Sequence, residues 1–248
     1  MARGAVLLSG WLIGTVTGLR DETPKARTLD LDVPGWMGNE AGQHLDVRLT
    51  APDGYQAARS YSVATAGGGQ MIEISVDQID DGEVSPYLVH GVSAGDKVEV
   101  RGPLGRWFVW RPTQTEPVQL IGGGSGVAPL RAILNAHEAA ASAAPMRLLY
   151  SVRSPEAAFY RDEFARLAAD GSGSVRIDYT YTREAPPDWP TPAGRITREQ
   201  LAELTIPADQ TPTVYVCGPT NFVEAVADWL VELGHDPANI RTERFGGK

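Results

Sequence analysis

Cysteine is almost absent from this sequence: Cys217 is the single one in 248 residues. That excludes an intrachain disulfide, a cysteine-rich zinc site and an iron–sulfur cluster held by four thiolates of this chain. A lone thiol fits a reducing cytoplasm. Histidine is sparse too, with His44, His90, His137 and His235 scattered at no metal-ligand spacing. Long apolar runs are missing. The uncharged stretch 5–19 is broken by Gly10, Gly14 and Gly18, so it reads as a lead-in to a first strand rather than a secretory signal or a membrane span. Basic residues are the minority, 22 against 31 acidic, for a formal net charge of −9. A chain of that sign is a poor partner for nucleic acid, although a few local arginines can still hold an anionic dinucleotide.

What is present is organised in two styles. Up to about residue 112, short alternating runs dominate: Leu45, Val47 and Leu49; Ile72, Ile74 and Val76; Val98 and Val100. Turn clusters separate them, among them Pro52-Asp53-Gly54, Gly67-Gly68-Gly69, Asp80-Asp81-Gly82 and Gly102-Pro103. Period-two alternation with such punctuation predicts a closed antiparallel barrel. After the polar, Pro-flanked segment Arg111–Pro117, strands and helices alternate. Strands are expected at Val118–Ile121, Met146–Val152, Val175–Tyr181 and Thr213–Val216. Helices are expected at Ala128–Ala141, Ala157–Ala169, Arg198–Leu204 and along the apolar stripe Phe222, Val223, Val226, Leu230 and Leu233, which ends at Gly234. Strand–helix alternation implies parallel βαβ units. The expected fold is a two-domain α+β chain, with an N-terminal antiparallel Greek-key β-barrel over 1–112 and a C-terminal α/β doubly wound parallel sheet over 113–248.

Three local patterns suit an anionic ligand. Leu120 to Pro129 is a strand, a glycine turn (Gly122, Gly123, Gly124, Gly126) and a helix start, where backbone can approach a pyrophosphate. The spacing departs from the strict GxGxxG fingerprint. Arg59-Ser60-Tyr61-Ser62 lies on a strand, so Arg59 and Tyr61 share one face, a guanidinium for phosphate and a ring for stacking. Ser85-Pro86, three residues after Gly82, reads as an N-cap and first helical position.

Taken in order, these segments resemble the ferredoxin–NADP reductase superfamily over nearly the whole chain. Arg59-Ser60-Tyr61-Ser62 is similar to its Arg-x-Tyr-Ser flavin signature. Gly82-Glu83-Val84-Ser85 is similar to its Gly-x-x-Ser flavin-phosphate segment, and Gly122 through Pro129 to its Gly-Gly-Gly-x-Gly-x-x-Pro nucleotide motif. Tyr215-Val216-Cys217-Gly218-Pro219 is similar to its nicotinamide motif, and Thr242 to Gly247 to its tail. The resemblance implies roles. Arg59 would pair with the flavin phosphate, Tyr61 would stack on the isoalloxazine and Ser62 would bond near N5. Ser60, Val76, Gly82, Val84 and Ser85 would complete the flavin set. Gly123, Gly124, Gly126, Val127 and Pro129 would shape the dinucleotide site, with Gly218 and Pro219 beside Cys217 at the nicotinamide. Glu243 and Phe245 belong to the tail, Phe245 as a cover for the other flavin face.

The cofactors implied are FAD rather than FMN, and NADPH ahead of NADH. The second preference rests on Arg153 at one strand end and Thr182-Arg183 at the next, where NADH readers carry an acidic residue. The implied activity takes hydride from NAD(P)H and passes electrons to a separate acceptor: a ferredoxin, a haem, molybdenum or oxygenase component, or a quinone-like molecule. With one cysteine, no fused iron–sulfur domain is expected. The alternatives are a reductase of free flavin and a non-catalytic flavin- or nucleotide-binding subunit.

Overall fold

The computed structural model describes residues 10–169 and 175–245. Residues 1–9, which include the start of the lead-in, and Gly246, Gly247 and Lys248 lie outside the described residues. Contacts divide the chain into two compact units, Met1–Arg111 with Arg131–Ala136, and Pro112–Leu130 with His137–Lys248.

In the first unit, strands β1 (Leu12–Thr23), β2 (Ala26–Asp32), β3 (His44–Thr50), β4 (Gln56–Ser62), β5 (Met71–Asp77) and β6 (Lys97–Leu104) form one sheet in the order β4-β3-β6-β1-β2-β5. Every ladder is antiparallel. The connections that bring β6 between β3 and β1 skip strands, in the Greek-key manner. A bridge between Val63 and Ile74 joins the two ends of the sheet and closes the barrel. The alternating residues supply its interior. Leu29, Leu31, Leu45, Val47, Ile72, Ile74, Val76, Val98 and Val100 form one buried cluster with Val84 and Leu88, each side chain worth about 1.5–3 kcal/mol of transfer free energy. Gly102-Pro103, expected in a turn, lies within β6.

In the second unit, β7 (Val118–Gly123), β8 (Met146–Val152), β9 (Val175–Tyr181), β10 (Thr213–Pro219) and β11 (Ile240–Phe245) form a parallel sheet in the order β11-β10-β7-β8-β9. The connecting helices are α1 (Val127–Ala139), α2 (Arg161–Ala169), α3 (Arg198–Leu204) and α4 (Thr220–Glu232). Side-chain parity places them on both faces. Ile121, Leu149, Val214 and Val216 pack with α3 and α4 through Leu201, Val223, Val226 and Leu230. Their neighbours face the other way, Gly122 toward Leu130 of α1 and Tyr150 edge-on to Phe164 of α2. A capping box starts α3, with Thr197 accepting from the Gln200 N–H and the Gln200 side chain accepting from the Thr197 N–H.

One helix starts later than its pattern suggests. Pro155–Ala157 is a 3₁₀ turn and Tyr160 sits at φ +57°, so α2 begins only at Arg161. The strand expected to end at Val216 runs on to Pro219. The path starts at β7 in the middle of the sheet, winds outward to β9, then crosses back to β10. The direction of winding therefore reverses between β7 and β10, the place where open α/β sheets bind ligands at their carboxyl ends.

Candidate functional site

In the barrel unit, β4 is an end strand and pairs only with β3. Tyr61 stands opposite Leu45 and Arg59 opposite Val47, so both side chains leave β4 on the core-facing side. The Tyr61 ring is half-buried against the barrel core, and that burial, only partly offset by Arg59, raises its phenol pKa. Arg59, one step nearer the rim, stays 53% exposed. Ser60 and Ser62 take the opposite face, where the Ser60 hydroxyl donates to Asp46 Oδ1 at 2.7 Å. The ladder parity is set by the Val63 N–H bonding Gln43 O at 2.9 Å. It turns the N–H groups of Ser60 and Ser62 away from β3, to the side of β4 that meets β5 only just beyond its end, through the bridge at Val63 and the Ala64 N–H to Glu73 O. An open row of donors beside a half-buried aromatic ring and a guanidinium suits a planar, hydrogen-bonding ring system that carries a phosphate. FAD fits these residues on that ground.

The second barrel element departs from expectation. Ser85 does not cap a helix: its hydroxyl reaches back to accept the Ile79 N–H at 3.0 Å, while the Gly82 N–H bonds Ile79 O at 2.8 Å. The residues from Ser85 to Gly91 do form the short helix expected, π-helical over Tyr87–Gly91, but it opens without a side-chain cap, so the loop before it is closed on itself rather than aimed at an anion. The side chains of Val76 and Val84 are fully buried in the core, leaving only their backbones to meet a cofactor. What joins the segment to β4 is Glu83. Its carboxylate takes Arg59 Nη2 at 3.1 Å on one oxygen and the Tyr55 hydroxyl at 2.7 Å on the other. Sequence reasoning gave Glu83 and Tyr55 no role, and no local pattern marked them.

In the second unit the expected residues collect at the carboxyl ends of adjacent strands. Gly122 lies opposite Cys217 on β10, and Cys217 lies opposite Glu243 on β11. Phe245, at the end of β11, lies opposite Pro219 and is 37% exposed. The glycine turn fits tightly here. A Cβ on Gly126 would stand 2.6 Å from Cys217 C and 2.7 Å from Gly218 N, so only glycine lets the turn rest on the backbone of β10. Gly124 adopts φ +55° with open space around it, the conformation a side chain would resist. Val127 and Pro129 lie in the first turn of α1. Burial first, then the Glu243 carboxylate, raise the Cys217 thiol well above its ordinary pKa, so at neutral pH the sulfur carries its proton. At the ends of β8 and β9, the Arg183 N–H bonds Arg153 O at 2.9 Å and the Thr182 N–H bonds Val152 O at 2.8 Å. Two exposed arginines thus spring from neighbouring strand ends.

Comparison with known proteins agrees with this division. Residues 20–109 match the family described as an oxidoreductase FAD-binding domain, and residues 120–228 the one described as an oxidoreductase NAD-binding domain. A ferredoxin–NADP reductase B of Sorangium cellulosum is 32% identical over 212 residues, covering 83% of this chain and 85% of that protein. The chain belongs to the ferredoxin–NADP reductase superfamily. Among solved structures, the FAD/NAD-binding domain of a nitric oxide dioxygenase from Vibrio cholerae superposes with a TM-score of 0.84 at 28% identity, covering 95% of this chain and 99% of that one. A flavohemoprotein of Rhodopirellula baltica is 30% identical over 218 residues, or 84% of this chain. The match spans 53% of that protein, about half its length. This reductase-superfamily chain is a flavoprotein oxidoreductase, with its FAD domain in the barrel unit and its pyridine-nucleotide domain in the parallel-sheet unit. Among the described residues, no helix is long and apolar enough to cross a membrane, and no cluster of His, Cys, Asp and Glu could hold a metal ion.

Proposed function

We propose that the chain is a cytoplasmic reductase that takes hydride from NADPH, in preference to NADH, onto FAD and passes electrons to a separate acceptor protein. A ferredoxin or a haem, molybdenum or oxygenase component would serve. The observation that carries the proposal is the glycine turn resting on Cys217-Gly218 at the point where the sheet reverses direction. FAD supplies the chemistry, accepting two electrons as hydride and returning them singly.

The chain supplies position and charge. Tyr61 offers its ring to one face of the isoalloxazine, Ser60 and Ser62 offer N–H donors to its edge, and Arg59 balances the phosphate. Gly124 and Gly126 let backbone amides approach the dinucleotide pyrophosphate. Cys217, held as a neutral thiol, cannot act as a base at neutral pH and serves to place the nicotinamide. Glu243 lies beside it on β11, and Phe245 ends that strand as a candidate cover for the flavin. Arg153 and Arg183 converge on the ribose 2′-phosphate with the Thr182 hydroxyl, since paired guanidiniums suit a dianion.

An anaerobic titration of the purified protein with each nucleotide tests this. Both should bleach the flavin, NADPH with the lower KM. Arg183→Ala should raise the NADPH KM about tenfold, the loss of one charge-assisted bond, while leaving the NADH KM in place. Bleaching by neither nucleotide refutes the activity, and a wild-type preference for NADH refutes the assignment of the arginines. A second reading, reduction of free flavin, draws on the half-exposed seat of Arg59. It predicts that added FMN or FAD is turned over as a substrate.

A further inference from the structure

Arg59 and Tyr55 together make an anion seat, and a carboxylate of the chain itself sits in it. One Glu83 oxygen receives Arg59 Nη2 at 3.1 Å and the other receives the Tyr55 hydroxyl at 2.7 Å, while Arg59 Nη1 is tied to Ala58 O at 2.7 Å. The Tyr55 hydroxyl has one proton to give, so a phosphate oxygen takes that bond only if the Glu83 carboxylate yields it, and the two anions share the charge of one guanidinium. We propose that Glu83 competes with the flavin phosphate for Arg59 and Tyr55, and thereby sets how readily the flavin exchanges. The inference rests on the reading of Arg59 and Gly82–Ser85 as the flavin-phosphate site.

Three features support a competition rather than a fixed structural pair. The ion pair is half-exposed at both ends, 53% and 48%, and pairs of that kind are easily broken. The backbone beneath Glu83 is fixed: Gly82 and Ser85 both bond to Ile79, and Val84 is locked in the barrel core. Glu83 also lines a cavity of about 910 Å³ with Tyr55, Gln56, Ala57 and Tyr87, into which the side chain can turn. Its Cα therefore stays beside the phosphate while its carboxylate swings aside. The displaced charge remains near a phosphate of the same sign, and that repulsion opposes retention of the flavin.

Glu83→Gln keeps the side chain's size and removes its charge. In the full chain stripped of flavin and titrated with FAD, FMN and riboflavin, this variant should bind FAD and FMN about tenfold more tightly than the wild type, as expected when a half-screened like charge is removed. Riboflavin, which has no phosphate, should bind both proteins equally. FAD release from the as-purified protein, read by flavin fluorescence on dilution, should slow in proportion. Glu83→Ala should move in the same direction, and Tyr55→Phe should weaken FAD several-fold by removing a phosphate donor. FAD binding that is unchanged or weakened in both Glu83 variants overturns the inference, as does equal tightening of riboflavin. A wild-type chain that binds no flavin at all would instead overturn the reading on which the inference rests.

Discussion

Replacing Gly126 by alanine tests the dinucleotide site most directly, because the penalty follows from backbone positions alone. The new methyl would lie 2.6 Å from Cys217 C and 2.7 Å from Gly218 N, where ordinary contact begins at 3.4 Å. Cys217 O lies nearer still, so the turn and the end of β10 must separate by at least 0.8 Å (3.4 less 2.6). Neither neighbour is a side chain that can rotate away. Both belong to β10, which is paired on each side, with β7 and with β11. Overpacking of this kind costs about 1–3 kcal/mol, which for a domain this size lowers the melting temperature by roughly 3–12 °C. The same displacement lifts the turn's amides from a bound pyrophosphate, so NADPH affinity should fall by about tenfold or more. Gly124→Ala is the control: it meets no atom within 4 Å but forces a side chain onto φ +55°, at a cost of about 1–2 kcal/mol. Differential scanning fluorimetry gives the stabilities. Stopped-flow reduction by NADPH under anaerobic conditions gives the affinities, with the flavin spectrum as a check on the barrel unit. If Gly126→Ala melts with the wild type and keeps its NADPH affinity, the glycine turn does not rest on β10 in the manner described.

Two further outcomes follow from ionisation. Cys217, buried and facing Glu243, should resist iodoacetamide in the native protein at pH 8 and react at once in guanidinium; rapid native labelling would contradict its raised pKa. Glu99 accepts two hydrogen bonds from Arg48, at 2.9 and 2.7 Å, and this pair holds its carboxyl below the ordinary value of 4.5. A depressed folded-state pKa contributes stability that is present above pH 4.5 and lost as the pH falls through the folded value. Glu99→Gln should therefore melt below the wild type at pH 6, with the gap closing toward pH 3; a gap that persists there refutes the linkage.

The parts of the fold legible in sequence were those whose periodicity survives in three dimensions. β9 and α3 appear with the expected bounds because their alternation and caps are uninterrupted. β1 had only a vague outline, and the reason is visible in its ladder: register shifts after Val16 and Asp21 break the period of two. β11 was read only as a tail, since Ile-Arg-Thr-Glu-Arg-Phe is mostly polar and takes its place through parallel pairing with β10. The start of α2 was set too early because nothing in Ala157–Tyr160 announces a left-handed residue at Tyr160.

The two cofactor sites differed in legibility for a physical reason. In the parallel-sheet unit, the proposed recognition is by backbone at the ends of strands, and close backbone approach demands glycine, so the requirement is written into residue type. Gly124, Gly126 and Gly218 could be read before any fold was known. In the barrel unit, the proposed anion seat is made by the side chains of Arg59 and Tyr55, and the carboxylate that occupies it comes from Glu83, 24 residues beyond Arg59 in sequence, at the motif's variable position between Gly82 and Val84. A family signature finds Arg59 but is silent on the carboxylate that shares its charge. On the proposed competition, retention of the flavin turns on residues such as Glu83 and Tyr55, which the signature leaves open, while the proposed dinucleotide site is held to its glycines.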